Sequence, residues 1–410
     1  MLANFLREYN INRLFLSITG LWPFQNKLAR NSLQTFCFLV EISYCPFEIL
    51  LIYDHWNDMQ TIFEGCYQMA VSGTFLVRMA NEFFNHDKLR RLYEIIDEHW
   101  DIFTSDIEVQ VLKDYSTLAR KFTKYYSIMM YFLTSGFVII PVFLDIVLPL
   151  NKSRPRFLAI EVEFRINKDE YFLPIFCYTT AVIIVGMNIV VSVDAMHITC
   201  TSHACSLFAA VSKQIESLVV KTGNKNEIRK CEYTGNKNEI RKCGYMNTFD
   251  TLSEETVYRE YITCLKKHQL AIKFVGILES SYQELSLFTL ILFIGILSLT
   301  GIRIVYVLDQ LGEVARFTFI IVGAFFTLLI VCYSGQKLMD ESQNVFYQVY
   351  TTKWYDFSPR LKSLLIIILY RSNIPCGLKA GNLISLSIAT YAAVIKMGVS
   401  YFTAFLSLKD

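Results

Sequence analysis

The sequence predicts an all-α membrane protein with seven transmembrane helices, and three observations carry that prediction. Of its 410 residues 53% are hydrophobic and 15% aromatic, with a mean hydropathy of +0.35, more apolar than a soluble enzyme of this length. Seven stretches, at about 33–53, 62–83, 125–148, 172–196, 285–307, 315–336 and 383–408, reach the roughly 20 apolar residues that cross about 30 Å of hydrocarbon. Lysine and arginine gather in alternate connections. The segments before span 1 and between spans 2 and 3, 4 and 5, and 6 and 7 hold 4, 7, 12 and 6 of them, against 5 in the richest segment of the opposite set. The basic side is expected to be cytoplasmic, which puts the amino terminus inside and the carboxyl terminus outside. The bias survives when the long connection between spans 4 and 5 is left out.

Taken in order, residues 1–32 show no signal peptide: the apolar patch from Leu14 to Ile18 is short, and Gly20-Leu21-Trp22-Pro23 follows it instead of a cleavage site. Span 1 carries Glu41 and Glu48 seven residues apart on one helical face, with Cys45 and Pro46 between them. A carboxylate facing lipid is costly, so this face is expected to look into the bundle or a water-filled cavity, in a packing role because one helix alone carries it. For a ligand pocket, span 2 offers Cys66, Tyr67 and Ala70, span 3 Tyr131, Ser135 and Ile139, and span 4 Tyr178, Ile183 and Met187. These combine aromatic area with a few hydroxyls, as a pocket for small apolar molecules requires.

The connections are helical in pattern. Segment 86–124 sets Leu89, Leu92, Ile95 and Ile96 among charges, and segment 253–282 places Val257, Tyr261, Cys264, Leu265 and Ile272 at helical spacing. Between spans 3 and 4, Asn151-Lys152-Ser153 is a glycosylation sequon on the side assigned to the outside. After span 4, residues 222–233 and 234–245 form a tandem duplication with one difference, Glu232 against Gly244. Two copies of 12 residues are too short for a solenoid, so the duplication is read as an insertion that a polar loop tolerates. Leu364–Tyr370 is apolar but about seven residues long, and is read as part of a helix packed under the membrane. In span 7, Lys396 precedes Thr403 by seven residues, with Ser400 and Tyr401 between. These groups either hydrogen-bond to neighbouring helices or form the polar wall of a conduction path.

Several function classes fall away. No HExxH, GxSxG or GxxxxGK motif anchors a reaction, so no enzyme is expected. A net charge of +2 gives no reason to expect nucleic acid. His197, Cys200, His203 and Cys205 have metal-ligand residue types, but no second cluster supports them, and neither a metal nor a cofactor is expected. The cysteines fall in apolar stretches or a basic loop and read as small buried hydrophobes. A G-protein-coupled receptor would have the opposite orientation. Here the outer loop at about 149–171 has no cysteine, span 3 lacks a cytoplasmic Asp-Arg-Tyr, and span 7 has no proline. A transporter would usually show an internal repeat of spans, and none is found.

Cys332-Tyr333-Ser334-Gly335-Gln336, the stretch from Ser342 to Trp354-Tyr355, Arg371-Ser372-x-x-Pro375-Cys376, Gly381, and Tyr391 through Lys396 to Ser400-Tyr401-Phe402-Thr403 together resemble the carboxyl-terminal signature of insect odorant receptors. Gly20-Leu21-Trp22-Pro23 resembles an amino-terminal pattern of hymenopteran members. The resemblance implies an odorant-gated, non-selective cation channel of inverted topology in the plasma membrane of an olfactory sensory neuron. Its partners would be a small volatile odorant, membrane lipid, and an olfactory co-receptor in a tetramer. It implies a pore lined by the end of span 7, at Ser400, Tyr401, Ala404, Ser407 and Leu408, with the constriction at Ala404 and Leu408. It also implies an odorant pocket between spans 2 to 6 in the outer half of the membrane. The chain lacks the co-receptor's long insertion between spans 4 and 5 and is more similar to a tuning subunit. Thr390-Tyr391 matches the related gustatory receptors, but Lys396, Met397 and Gly398 break the remainder of their span 7 motif. That gustatory type, or a metabotropic chemoreceptor, is the alternative. The implied organisation is 1–32, cytoplasmic; 33–336, spans 1 to 6 with the pocket bundle, cytoplasmic helical extensions and the repeat-bearing loop 200–284; 337–382, a cytoplasmic anchor and subunit-contact region; and 383–410, the pore-lining span 7.

Overall fold

In the computed structural model, residues 2–147, 160–168, 170–233, 246–352 and 354–407 are described, and they are helical almost throughout. The elements are α1 (Ala3–Ile18), α2 (Lys27–Asp54), α3 (Met59–Phe84), α4 (His86–Ile102), α5 (Asp106–Val147), α6 (Phe172–Tyr233), α7 (Met246–Tyr306), α8 (Leu311–Tyr350), a single 3-10 turn (Trp354–Asp356), α9 (Pro359–Ser372), a hairpin of β1 (Lys379–Ala380) and β2 (Ile384–Ser385), and α10 (Ile388–Ser407). The seven predicted spans fall on α2, α3, α5, α6, α7, α8 and α10. Among the described residues five of these helices, α2, α6, α7, α8 and α10, are long and apolar enough to cross a membrane by composition alone. In α3 that apolarity is diluted by Glu64, Gln68, Arg78 and Glu82, all of them buried within the fold.

Several helices greatly exceed the bilayer. With its 62 residues, α6 runs roughly 90 Å at about 1.5 Å per residue, some three times the hydrocarbon thickness. Of the segments read from sequence as helical connections, 253–282 and the second half of 86–124 are continuations of spans, in α7 and in α5 from Asp106, whereas the first half of 86–124 is the separate helix α4; α8 likewise continues to Tyr350. Helix α6 is the axis of the subunit and touches α1, α2, α3, α5, α7 and α8. Its middle turns carry Ala195, Cys200, Ala204 and Ala210, all fully buried, and such small side chains let neighbouring helices approach closely. At the end opposite the α2–α3 turn, α1 and α4 close the bundle. Leu89, Leu92, Tyr93 and Ile96 form the buried face of α4, and the Trp22 ring stacks on Tyr93 at 5.6 Å. Buried Asn12 ties α1 to α6 by donating to Ala195 O at 3.1 Å and Thr199 Oγ1 at 3.0 Å.

Gly20 makes the reversal between α1 and α2. Its φ is +72°, and a Cβ there would lie 2.8 Å from Arg30 O. Gly20→Ala combines a left-handed backbone with a backbone clash and is expected to cost about 1–3 kcal/mol, read as a lowered unfolding temperature. An unchanged temperature would mean that this turn can reshape freely.

His99 on α4 is buried against Phe103, Phe274 and the parallel ring of His203, whose Nε2 lies 3.2 Å from His99 Nδ1. Burial pushes the His99 imidazole down to about 4 from its ordinary 6.5, so the folded protein holds it uncharged. Its contribution to stability is complete above pH 6.5. It is lost progressively as pH falls from 6.5 towards 4, because the unfolded chain takes up a proton that the buried ring refuses. Thermal unfolding of purified protein should therefore come earlier at pH 5 than at pH 7.5, and His99→Gln should narrow the gap. An equal gap in that variant would assign the effect to other groups.

Span 7 differs from its predicted limits. Residues 383–387 do not open a helix; Gly381 and Asn382 take positive φ and turn the chain into the hairpin, where Lys379 pairs with Ser385 and Ala380 with Ile384. The helix therefore starts at Ile388. Leu364–Tyr370 lies inside α9, as expected of a helix longer than its apolar core. The first repeat copy continues the α6 backbone, whereas the second copy, the sequon at Asn151 and pore candidate Leu408 lie outside the described residues.

Candidate functional site

The face of α3 that carries Gln68, Ser72, Phe75 and Arg78 at helical spacing borders an interior cavity of about 160 Å³. Opposite it stand Tyr44 and Glu48 of α2, Ile183 and Met187 of α6, and Phe319 and Ile320 of α8, with Met130 of α5 and Phe293 of α7 closing the sides. Two glycines make room for the aromatic walls: a Cβ at Gly186 would lie 2.5 Å from the Phe75 ring, and one at Gly136 would lie 2.7 Å from the Phe319 ring.

Buried ion-pair networks bracket the cavity. Towards the α2–α3 turn, Glu64 pairs with Arg303 at 2.6 Å and Arg316 at 2.7 Å, and Arg316 also pairs with Glu313 at 2.5 Å. The Arg316 guanidinium lies 4.6 Å from the centre of the Phe317 ring, which meets Tyr67 edge-on. At the other end Arg78 clasps Asp194 through two bonds of 2.8 and 2.9 Å. Tyr126 donates a third bond to Asp194 at 3.0 Å. Planar two-bond pairs of this kind satisfy a buried carboxylate. The cavity combines apolar walls with a few oriented polar groups, a chemistry suited to small, largely apolar molecules.

The sequence-selected pocket residues separate by helix face. Tyr67, Ile183 and Met187 line the cavity. Cys66 sits beside Tyr67 and is half-buried, and Ala70 packs on the main core. Tyr131 donates to Asn188 Oδ1 at 2.7 Å, and Ser135 donates to Tyr131 O; neither lines the cavity. Ile139 is exposed on the outside of α5. Tyr178 shares a 2.8 Å hydrogen bond with Ser43 and packs with Phe47 and Phe164. Sequence reasoning missed Ser72, Phe75, Arg78, Phe293 and Phe319 on the wall. The polar series Glu64, Gln68, Ser72 with Arg78 in an apolar span was the signal for the α3 face. Nothing in sequence aims Phe293 or Phe319 inward. Glu48, expected to face the bundle or a cavity, lines this one. Glu41 is buried with neither oxygen paired.

The residues offered for metal binding separate as well. His203 turns to His99, His197 lies against Tyr282 at 4.6 Å between rings, and among the described residues no group of three or more ligating side chains is close enough to hold an ion.

Helix α10 packs on α7 and α8 through one narrow face. Val394 and Gly398 are its buried residues; Gly398 O accepts from Ser298 Oγ at 3.2 Å. The opposite face carries Lys396, Ser400, Thr403, Ala404 and Ser407, all exposed in the single chain, as is Tyr401. Lys396, Ser400, Thr403 and Ser407 stand at steps of four, three and four, which aligns them in one polar stripe.

Residues 58–399 match the family model described as 7tm Odorant receptor. Odorant receptor Or2 of Anopheles gambiae is 22% identical over 393 residues, covering 93% of this chain and 94% of that one. Odorant receptor 42b of Drosophila melanogaster is 27% identical over 159 residues, 38% of each chain. Among solved structures, the olfactory receptor OR5 from Machilis hrabei, in complex with eugenol, superposes with a TM-score of 0.77 at 12% identity, covering 99% of both chains. At that identity the likeness establishes the shared fold.

Proposed function

The chain belongs to the 7tm odorant receptor family, and from that premise we propose that it is the tuning subunit of an odorant-gated, non-selective cation channel. It sits in the plasma membrane with its amino terminus in the cytoplasm, an orientation supported by the lysine and arginine distribution. A small volatile molecule occupies the cavity between α2 and α8. Copies of α10 from this chain and from co-receptor subunits surround the conduction path, with the polar stripe through Ser400 and Ser407 facing it and Ala404 near the constriction. The α8 end and α9 form the cytoplasmic anchor where subunits meet, supported by the exposed apolar side chains Ile366, Ile367 and Tyr370 on α9.

One observation carries this reading: α7 serves both sites at once. Its residues Phe293 and Ile296 line the cavity, while Leu297, Ser298 and Gly301, on the adjoining face, hold α10 at Gly398 and Phe402. A ligand that binds more tightly when α7 is displaced biases the closed-to-open equilibrium by that difference in affinity, and by no more.

The test is whole-cell current in a heterologous cell expressing the chain with and without an insect olfactory co-receptor, during exposure to volatiles and with G-protein signalling blocked. A rapid cation current that needs the co-receptor is expected. A response abolished by the block would overturn the channel mechanism.

A further inference from the structure

We propose that the cavity selects small neutral alcohols and phenols, and that Glu48 is the residue that reads the hydroxyl. This rests on the cavity being the ligand site, and it follows from which polar groups on the wall are already engaged. Arg78 is held by Asp194 and Thr74 O. Gln68 accepts from the Tyr44 hydroxyl at 3.2 Å and donates to Glu64 at 3.3 Å. Thr74 and Thr134 each donate to a carbonyl of their own helix at 2.8 Å. Ser72 donates to Glu48 Oε1 at 2.7 Å. Thr327 Oγ1 donates to Met130 Sδ, at 3.7 Å, and among the described residues no hydrogen bond reaches the second carboxyl oxygen of Glu48 or the Tyr67 hydroxyl. Glu48 is 1% exposed and Tyr67 2%.

A buried oxygen with no partner is costly, and a ligand that supplies a donor recovers that cost. A ligand hydroxyl can donate to the second Glu48 oxygen, beside the one that Ser72 occupies. An aldehyde, ketone or ester could accept from the Tyr67 phenol but has no hydrogen to give the Glu48 oxygen. An ammonium would have to shed its hydration to enter a membrane-embedded chamber, where the Arg78 guanidinium also forms part of the wall. Size sets the second limit. An apolar cavity of about 150 Å³ holds benzene, so about 160 Å³ suits a body of one ring or a short branched chain.

The test uses four compounds of equal heavy-atom count and one shape: benzyl alcohol, ethylbenzene, benzaldehyde and benzylamine. Saturation binding of tritiated benzyl alcohol to the purified full chain assembled with co-receptor, and competition by the other three, gives their relative affinities; whole-cell current is recorded in parallel. Benzyl alcohol is expected to bind about tenfold or more tightly than ethylbenzene and benzaldehyde, the scale of one hydrogen bond to an acidic group. Glu48→Leu should weaken benzyl alcohol by that factor and leave ethylbenzene unchanged or tighter. Failure to bind benzyl alcohol overturns the inference, as does ethylbenzene or benzaldehyde matching it on the wild-type chain, benzylamine binding tightest, or equal weakening of all four by Glu48→Leu. The wild-type ranking decides the matter even where the variant does not assemble. Selective binding without current would sink the channel reading and leave this one standing; current without selectivity would do the reverse.

Discussion

Ala404→Trp is expected to silence odorant-evoked current while leaving the receptor assembled at the cell surface. Ala404 lies on the exposed face of α10, one turn beyond Ser400, so an indole there is expected to carry little folding cost. If α10 lines the conduction path, each copy of the substituted chain projects a large ring into a constriction sized for a methyl group, and the current should fall by roughly tenfold or more. Val394→Trp supplies the contrast, because Val394 is buried against the bundle and overpacking there destabilises the fold itself. Current amplitude and surface biotinylation, measured on both variants, separate the cases. Normal current in Ala404→Trp would remove α10 from the pore, and loss of surface protein would make its exposed face an assembly surface instead.

Breaking the Arg78–Asp194 pair is expected to have the largest effect on stability. Arg78 is 1% exposed and Asp194 5%, and Tyr126 is the other donor to that carboxylate. Among the described residues Arg78→Met leaves a buried carboxylate with a single neutral partner, a change that typically costs about 3–5 kcal/mol, a large share of the roughly 5–15 kcal/mol that holds an ordinary domain folded. The double variant Arg78→Met/Asp194→Leu should recover much of that loss, since apolar replacement of both partners restores a consistent interior. Fluorescence-detected size exclusion after heating would show it: low recovery for the single variant, near wild-type for the double. Equal recovery for all three proteins would mean that water reaches the pair and that the cavity floor is not sealed.

The division between what was legible and what was hidden follows helix faces. Each apolar stretch long enough to span has most of its length on a helix, and the amphipathic stripe of Leu89, Leu92 and Ile96 lies buried on α4, because hydrophobic length and 3.6-residue periodicity are written in the chain itself. The cavity wall was half legible. The polar series Gln68, Ser72 and Arg78 within an apolar span shows that one face of α3 must turn inward. Tyr131, Ser135 and Ile139 show the limit: span 3 has no comparable polar stripe, so its inward face could not be chosen, and the cavity took Met130, Leu133 and Phe137 instead. The hairpin at 379–385 was hidden because an apolar run from Leu383 continues smoothly into α10, while Gly381 and Asn382 act through backbone angles that hydropathy does not register.

By itself the sequence determined the class and where the long apolar segments lie, both of which depend on the water-to-lipid transfer of one segment at a time. Only the tertiary structure decided which carboxylates are paired, that Glu48 keeps a free oxygen beside a cavity, and that α7 touches both that cavity and α10. Those facts depend on the rotation of each helix about its axis, which is set by packing against neighbours distant in the chain.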